Sequence, residues 1–281
     1  MNSPYKLFVI YHKPSDLIAT DIYQPIAVGK DKNSFPELYL KDDVGDNIAD
    51  KNVRYNELTA IYWVYKHLDE FKDVQYIGFT HYRRLFVFSG VRKRAYVKKN
   101  INKEMIRLSN ELLSNIFYVY DFIVPFPNHY KSVRHHYEKS HNTKDIDILL
   151  NIIKEKEPKY YEAATKYIEG KDEYSYNMFV FKVDDFIEYA RFIFNILDTF
   201  EKEVDEESRL YVSERLTGIY ITYLLANKKK ALHLPIYHIR KKSLKGMKKN
   251  EGRGFFYRFK NFILYLMPRW LEQYLRNKKA M

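Results

Sequence analysis

The chain has 281 residues, enough for one large α/β domain with an appendage. It contains no cysteine, which excludes disulfides and cysteine-ligated metals, and its 46% hydrophobic content, with 27 tyrosines and 19 phenylalanines, supplies a sizeable core. The net charge of +12 is concentrated at one end: residues 228–281 hold 16 Lys+Arg against Glu251 and Glu272, a balance of +14, which leaves 32 basic and 34 acidic residues, or −2, on the other 227. A near-neutral body with a basic tail does not read as a nucleic-acid-binding surface, so nucleic acid is not an expected partner.

The opening residues, Met1 to Lys6, lack a signal-peptide layout, and no uncharged apolar run approaches the roughly 18–20 residues of a membrane span. The expectation is a cytoplasmic protein. Residues 7–11, Leu-Phe-Val-Ile-Tyr, are a continuous apolar run of the kind found in central parallel strands, and His12-Lys13-Pro14 closes it. Residues 24–29 read as a second strand, and 42–47 as a turn-rich loop dense in carboxylates. Leu58, Ile61, Tyr62, Tyr65 and Leu68 recur at helical steps and predict a helix over 52–68. A short strand follows at 76–79, then a basic loop at 91–103, a helix at 104–115 and a strand at 117–124. Residues 128–142 form a polar, His-rich connection; helices are expected at 145–156 and 159–170, a strand at 176–183, helices at 184–203 and 206–227, and a last strand at 232–239. Strands alternating with helices predict an α/β sandwich with a largely parallel sheet over 1–239.

Residues 240–281 have their own logic. After a basic linker, Phe255, Phe256, Phe259, Phe262, Ile263 and Leu266 repeat at helical spacing with Arg258 and Lys260 off the stripe, and Pro268 separates a second apolar face around Trp270 and Leu271. An amphipathic, basic segment of this kind lies in the interface of an anionic membrane, or packs on the body as a terminal helix.

The stretch richest in chemistry is the strand at 76–79, which runs directly into His81-Tyr82-Arg83-Arg84. Ligands of α/β proteins bind at the carboxyl ends of strands, and paired guanidiniums match the oxygens of a diphosphate. The other reading is a solvated turn. Walker, Gly-x-Gly-x-x-Gly, His-Glu-x-x-His and Gly-x-Ser-x-Gly motifs are all missing. With 9 glycines in the chain, side chains rather than a glycine-rich loop must bind any phosphate. His135, His136 and His141 read as a surface loop better than as a metal cluster.

Four ordered blocks resemble a known bacterial family. Asp43-x-Gly-Asp-Asn-Ile48 with Lys51-Asn52, Tyr55-x-Glu57-Leu58-Thr59-Ala60 and Tyr62-Trp63 is similar to its opening block, and Tyr76-Ile77-Gly78-x-x-His81-Tyr82-Arg83-Arg84 to its central one. Asn177-Met178-Phe179 and Ser213-Glu214-Arg215-Leu216 are similar to the later ones. The resemblance, over about residues 5–240, is to DUF4422, a family of capsule and exopolysaccharide gene clusters regarded as GT-A-type glycosyltransferases, with some members linked to galactofuranose transfer. It implies a GT-A-like (Rossmann-like) nucleotide-sugar-binding fold, a UDP-sugar donor and a lipid-linked glycan acceptor.

By the same resemblance, His12, His81, Tyr82, Arg83, Arg84, Arg215 and His238 are expected at the donor or its diphosphate. Glu214 is expected as the base that deprotonates the acceptor, Asn177 and Met178 on the acceptor side, and Asp43, Asp46 and Asn47 in a loop serving donor or metal. Most GT-A enzymes place Asp-x-Asp and a divalent metal where this chain has Thr80-His81-Tyr82-Arg83. Either Mn²⁺ or Mg²⁺ is held by some of Asp43, Asp46 and His81, or Arg83 and Arg84 replace it as fixed positive charge. A non-catalytic, membrane-docked adapter of a polysaccharide assembly complex is the alternative on the same features.

Overall fold

The computed structural model describes residues 3–88, 95–98, 100–204 and 210–239. The expected amphipathic tail lies outside the described residues, as does much of the expected basic loop.

The first apolar run becomes β1 (Tyr5–Tyr11), flanked by two parallel neighbours, β2 (Tyr23–Ala27) and β4 (Tyr76–His81). The short β3 (Leu40–Lys41) extends the sheet beyond β2. On the other side of β4 come β10 (Phe179–Lys182), β7 (Phe122–Pro125) and β11 (Ala231–Leu234). Of these, β10 alone runs against its neighbours, so the order β3-β2-β1-β4-β10-β7-β11 describes a mostly parallel sheet with one inverted strand. A branch leaves the end of β4 through β5 (Arg84–Phe86) to β12 (Ile236–Ile239) and β6 (Ala95–Lys98).

Successive side chains of a strand point to opposite faces, and both faces here are covered. Phe8, Ile10, Ile77, Phe79, Phe179 and Phe181 point to one side, where they meet the apolar stripes of α2 (Leu58–Lys66), α5 (Asp145–Lys156), α6 (Tyr161–Glu169), α7 (Val183–Glu203) and α8 (Ser213–Ala226). Leu7, Val9, Tyr11, Ile123 and Val180 point to the other, against Phe35, Tyr39 and Leu113 of α3 (Asn110–Phe117). Each such burial contributes about 1.5–3 kcal/mol. Gly78 is required where β10 meets β4, because a Cβ there would stand 2.8 Å from both the Phe179 carbonyl and Val180 Cγ2.

Local hydrogen bonding moves several boundaries from their expected places. The helix over 52–68 breaks into α1 (Asn52–Tyr55) and α2, because Asn56 adopts φ 50° while the Asn52 amide donates to the Asn56 carbonyl (2.8 Å) and the Thr59 hydroxyl (3.0 Å). α3 starts at residue 110 instead of 104, where the Ser109 hydroxyl accepts from the Leu112 N–H. The connection at 128–142 holds β8 (Asn128–His129), paired with β9 (Asp172–Glu173), and the capped helix α4 (Val133–Glu138). Residues 95–98 of the expected loop form β6, and Pro235, lacking an N–H, separates β11 from β12.

Candidate active site

In this sheet β1, β2, β3, β4, β7 and β11 all end at one edge, and the inverted β10 begins there. The edge therefore gathers residues that follow parallel strands and residues that precede β10. His12 comes from the end of β1, Asp42 and Asp43 from β3, and His81 from β4; Tyr176, Asn177 and Met178 lead into β10.

β4 turns sharply at this edge. His81 pairs with Arg84, Tyr82 and Arg83 make the turn, and the Thr80 hydroxyl donates to the Arg84 carbonyl. Tyr82 is buried, stacked on Tyr11 at 5.3 Å with the edge of its ring toward His12. Arg83 is exposed, its guanidinium 5.1 Å from the Tyr82 ring centre, and Arg84 lies 4.2 Å above the ring of Tyr176. Among the described residues neither arginine has a carboxylate partner. Desolvation, then the charges of Arg83 and Lys13, hold the His12 imidazole below its ordinary range. His81 is pushed down to about 4 by burial, so it is neutral at pH 7, and its Nε2–H donates to the Tyr176 carbonyl at 2.7 Å. His238, in register with Arg84, presents its ring edge-on to Tyr176.

Tyr176 and Asn177 both adopt left-handed backbone conformations, φ 78° and 49°. Two consecutive non-glycine residues there cost on the order of 1–3 kcal/mol each and persist only where the surroundings fix them. They are fixed on every side. The Tyr176 N–H donates to Glu214 Oε1 (3.1 Å), and the Asn177 amide donates to Glu57 (2.8 Å) and Ser213 (3.4 Å) while accepting from the Thr217 hydroxyl (2.6 Å).

Glu214 sits in the first turn of α8, half-buried. Burial pushes its carboxyl up to about 7; Arg215 opposes that shift and the nearby Glu57 adds to it. Arg215 stands 3.4 Å from Glu214 Oε2 and 3.0 Å from Glu173 Oε2, which His136 Nδ1 also meets at 2.8 Å. The arrangement puts at Tyr176 both a carboxyl able to exchange a proton near neutral pH and the Arg84 guanidinium, which like Arg83 has no carboxylate partner among the described residues.

Residues 6–227 match the sequence model of a domain of unknown function, DUF4422. The chain belongs to the DUF4422 family. Among solved structures this DUF4422 protein is similar to the apo form of the bifunctional glycosyltransferase WbbM, at 29% identity and a TM-score of 0.74, over 84% of this chain. The match spans 45% of WbbM, so the chain corresponds to about half of that protein. No curated protein matches it.

Several expected site residues of the DUF4422 chain are placed elsewhere. Arg215 is 4% exposed, with the two terminal nitrogens of its guanidinium taken up by Glu173, Glu214 and the Tyr211 carbonyl, so it acts inside the protein and does not face a phosphate. Asn177 and Met178, each 1% exposed, do not line an acceptor surface: the Asn177 amide is saturated, and Met178 packs in the core with Val180 and Ile123. Asp43, Asp46 and His81 do not converge. Asp43 pairs with Lys32 (3.2 Å), Asp46 with Lys66 (3.0 Å) and Tyr62, and Asn47 closes its own turn through the Gly45 carbonyl and the Ala49 N–H. Among the described residues no group of three His, Asp or Glu is placed to hold a metal. His135 belongs to α4, and no helix among the described residues is long and apolar enough to cross a membrane.

Sequence reasoning missed Tyr176 and Glu173. Nothing in the string Glu173-Tyr174-Ser175-Tyr176-Asn177 signals a left-handed pair, beyond the tolerance of asparagine for that conformation.

Proposed function

We propose that the chain is a glycosyltransferase that moves a hexose, with galactofuranose the candidate, from a UDP-sugar to a lipid-linked glycan in capsule, exopolysaccharide or O-antigen synthesis. The observation that carries the reading is the meeting at Tyr176 of Glu214, which accepts from its N–H, and Arg84, which lies over its ring, with Arg83 next in the chain. The likeness to a bifunctional glycosyltransferase at 29% identity supports it.

The chemistry follows from that meeting, for a transfer that inverts the sugar. Glu214, as carboxylate, takes the proton from the acceptor hydroxyl as its oxygen bonds to the anomeric carbon. The bond from that carbon to the diphosphate oxygen breaks, and the electron pair leaves with UDP. Arg83 and Arg84 stabilise the charge gathering on the diphosphate, with His238 beside Arg84. His12 meets the nucleoside, and neutral His81 holds the Tyr176 carbonyl and so the corner between the two halves. The basic segment 240–281 docks the protein on the anionic inner face of the plasma membrane, where a lipid-linked acceptor is found.

A thermal-shift titration with UDP and UDP-hexoses, in EDTA and in Mn²⁺, tests the donor half. UDP stabilises the protein to the same extent in both. Absence of a shift with every nucleotide diphosphate overturns the reading.

A further inference from the structure

The side of Glu214 away from Arg83 and Arg84 carries a surface of different chemistry. The Tyr130 ring lies flat on His136 at 3.7 Å and 9°, and the His141 ring is stacked on Tyr211 at 4.4 Å and 27°. These rings are part-exposed, Tyr211 to 41%. Both pairs are tied to the base. His136 meets Glu173, Glu173 meets Arg215, and Arg215 meets both Glu214 and the Tyr211 carbonyl. Burial raises the Tyr130 hydroxyl, and the charges of Glu173 and, to a smaller extent, Glu214 add to that rise, so Tyr130 stands close to both carboxylates.

Charge separates this surface from the arginine side. Its own guanidinium, Arg215, is buried and paired, and Arg134 on α4 is held by Glu138, Asp147 and Glu169. Burial and the nearness of Arg215 keep His141 below its usual range and so uncharged at neutral pH. Its part-exposed groups are aromatic and imidazole rings, and the Ser175 hydroxyl reaches the same Glu173 at 3.3 Å while accepting from the Asn128 amide at 3.2 Å. An anion finds no free cation among these groups. The C–H face of a pyranose or furanose ring packs on aromatic rings, and its hydroxyls suit amide and hydroxyl neighbours.

We propose that Tyr130, His136, His141 and Tyr211 form a subsite for the neutral acceptor sugar, which presents its hydroxyl to Glu214. The subsite rests on the glycosyltransferase reading and replaces Asn177 and Met178 as the acceptor side. His136 is held for stacking by Glu173, so the ion pair that surrounds the base also fixes one wall of the subsite.

Saturation-transfer NMR on the full chain, with UDP and either methyl galactoside or methyl glucoside present, reads both sites in one sample. In the wild type the glycoside ring protons receive saturation together with UDP. Glycoside affinity falls roughly 2- to 10-fold in Tyr130→Ala and in Tyr211→Ala, while Tyr130→Phe, which keeps the ring, retains it. The UDP signal is unchanged in all three variants. Tyr211→Ala, at an exposed position, keeps the test decisive where Tyr130→Ala disturbs folding. Glycoside signals that are absent from the wild type, or that survive both alanine changes, overturn the subsite. A missing UDP signal in the wild type overturns the glycosyltransferase reading instead.

Discussion

The two sides of Tyr176 are built on opposite rules. On the β4 side, Arg83 and Arg84 rest on tyrosine rings with no carboxylate to neutralise them among the described residues. On the α8 side, Asn177 is bonded to Glu57, Ser213 and Thr217, while Glu214, Arg215 and Glu173 are bonded to one another or to backbone, and Arg215 is almost wholly buried. Charge left without a partner is ready for a ligand, whereas charge paired inside the protein holds geometry. The arginine next to Glu214 is thus a structural one, and the two at the strand end have no carboxylate partner among the described residues.

Substitutions on each side sharpen that contrast. Glu214→Gln removes the base and lowers transfer by about 10²–10⁴-fold while UDP affinity stays at the wild-type level. In the wild type the rate rises with pH through about 7, where Glu214 loses its proton, and that limb disappears in the variant, as a pH–rate profile will read. Stability carries the same signature with its own sign. A carboxyl raised from 4.5 to about 7 contributes stability that is full below 4.5 and is lost as pH rises through about 7, so the melting temperature of the wild type falls relative to Glu214→Gln across that window.

Asn177→Ala strands Glu57 and Thr217 and places alanine at positive φ, which destabilises by about 2–4 kcal/mol in urea unfolding. Arg84→Ala and Arg83→Ala leave folding intact and weaken UDP binding, each by roughly 10- to 100-fold in calorimetric titration. Equal losses of stability from Arg84→Ala and Asn177→Ala would erase the distinction between the two sides. Asp46→Ala, which breaks an exposed pair with Lys66, changes stability by less than about 0.5 kcal/mol and leaves UDP affinity unchanged.

The sheet was legible because its signals are local. The run at β1, the glycine in Tyr76-Ile77-Gly78-Phe79 and the spacing of apolar residues in α2 report burial and period directly. The placement of the strand-end groups His12, His81, Arg83 and Arg84 was legible for the same reason, since strand ends in a parallel sheet share one edge, whereas His238 stands within β12, in register with Arg84. What each side chain meets was not. Whether Arg215 points outward or at Glu173 depends on a contact 42 positions away in the chain, and Met178 differs from a surface methionine only in the strand register that buries it. The left-handed pair at Tyr176 and Asn177 is imposed by groups from three distant segments, so no window of sequence around it contains the cause.

The inverted strand β10 has a further consequence for how such a chain can diversify. Because β7 ends and β10 begins at the same edge, and the two strands are hydrogen-bonded neighbours, everything between Pro125 and Phe179 is an excursion that leaves and re-enters the sheet at one doorway while α5 and α6 pack on its face. Tyr130, His136 and His141 all lie on that excursion, whereas the arginines lie on the hairpin of β4 and β5. The same excursion carries Tyr176, on which Arg84 rests and whose carbonyl His81 holds, so a change in its length reaches the strand-end arginines through that one residue while the order of the strands stays fixed.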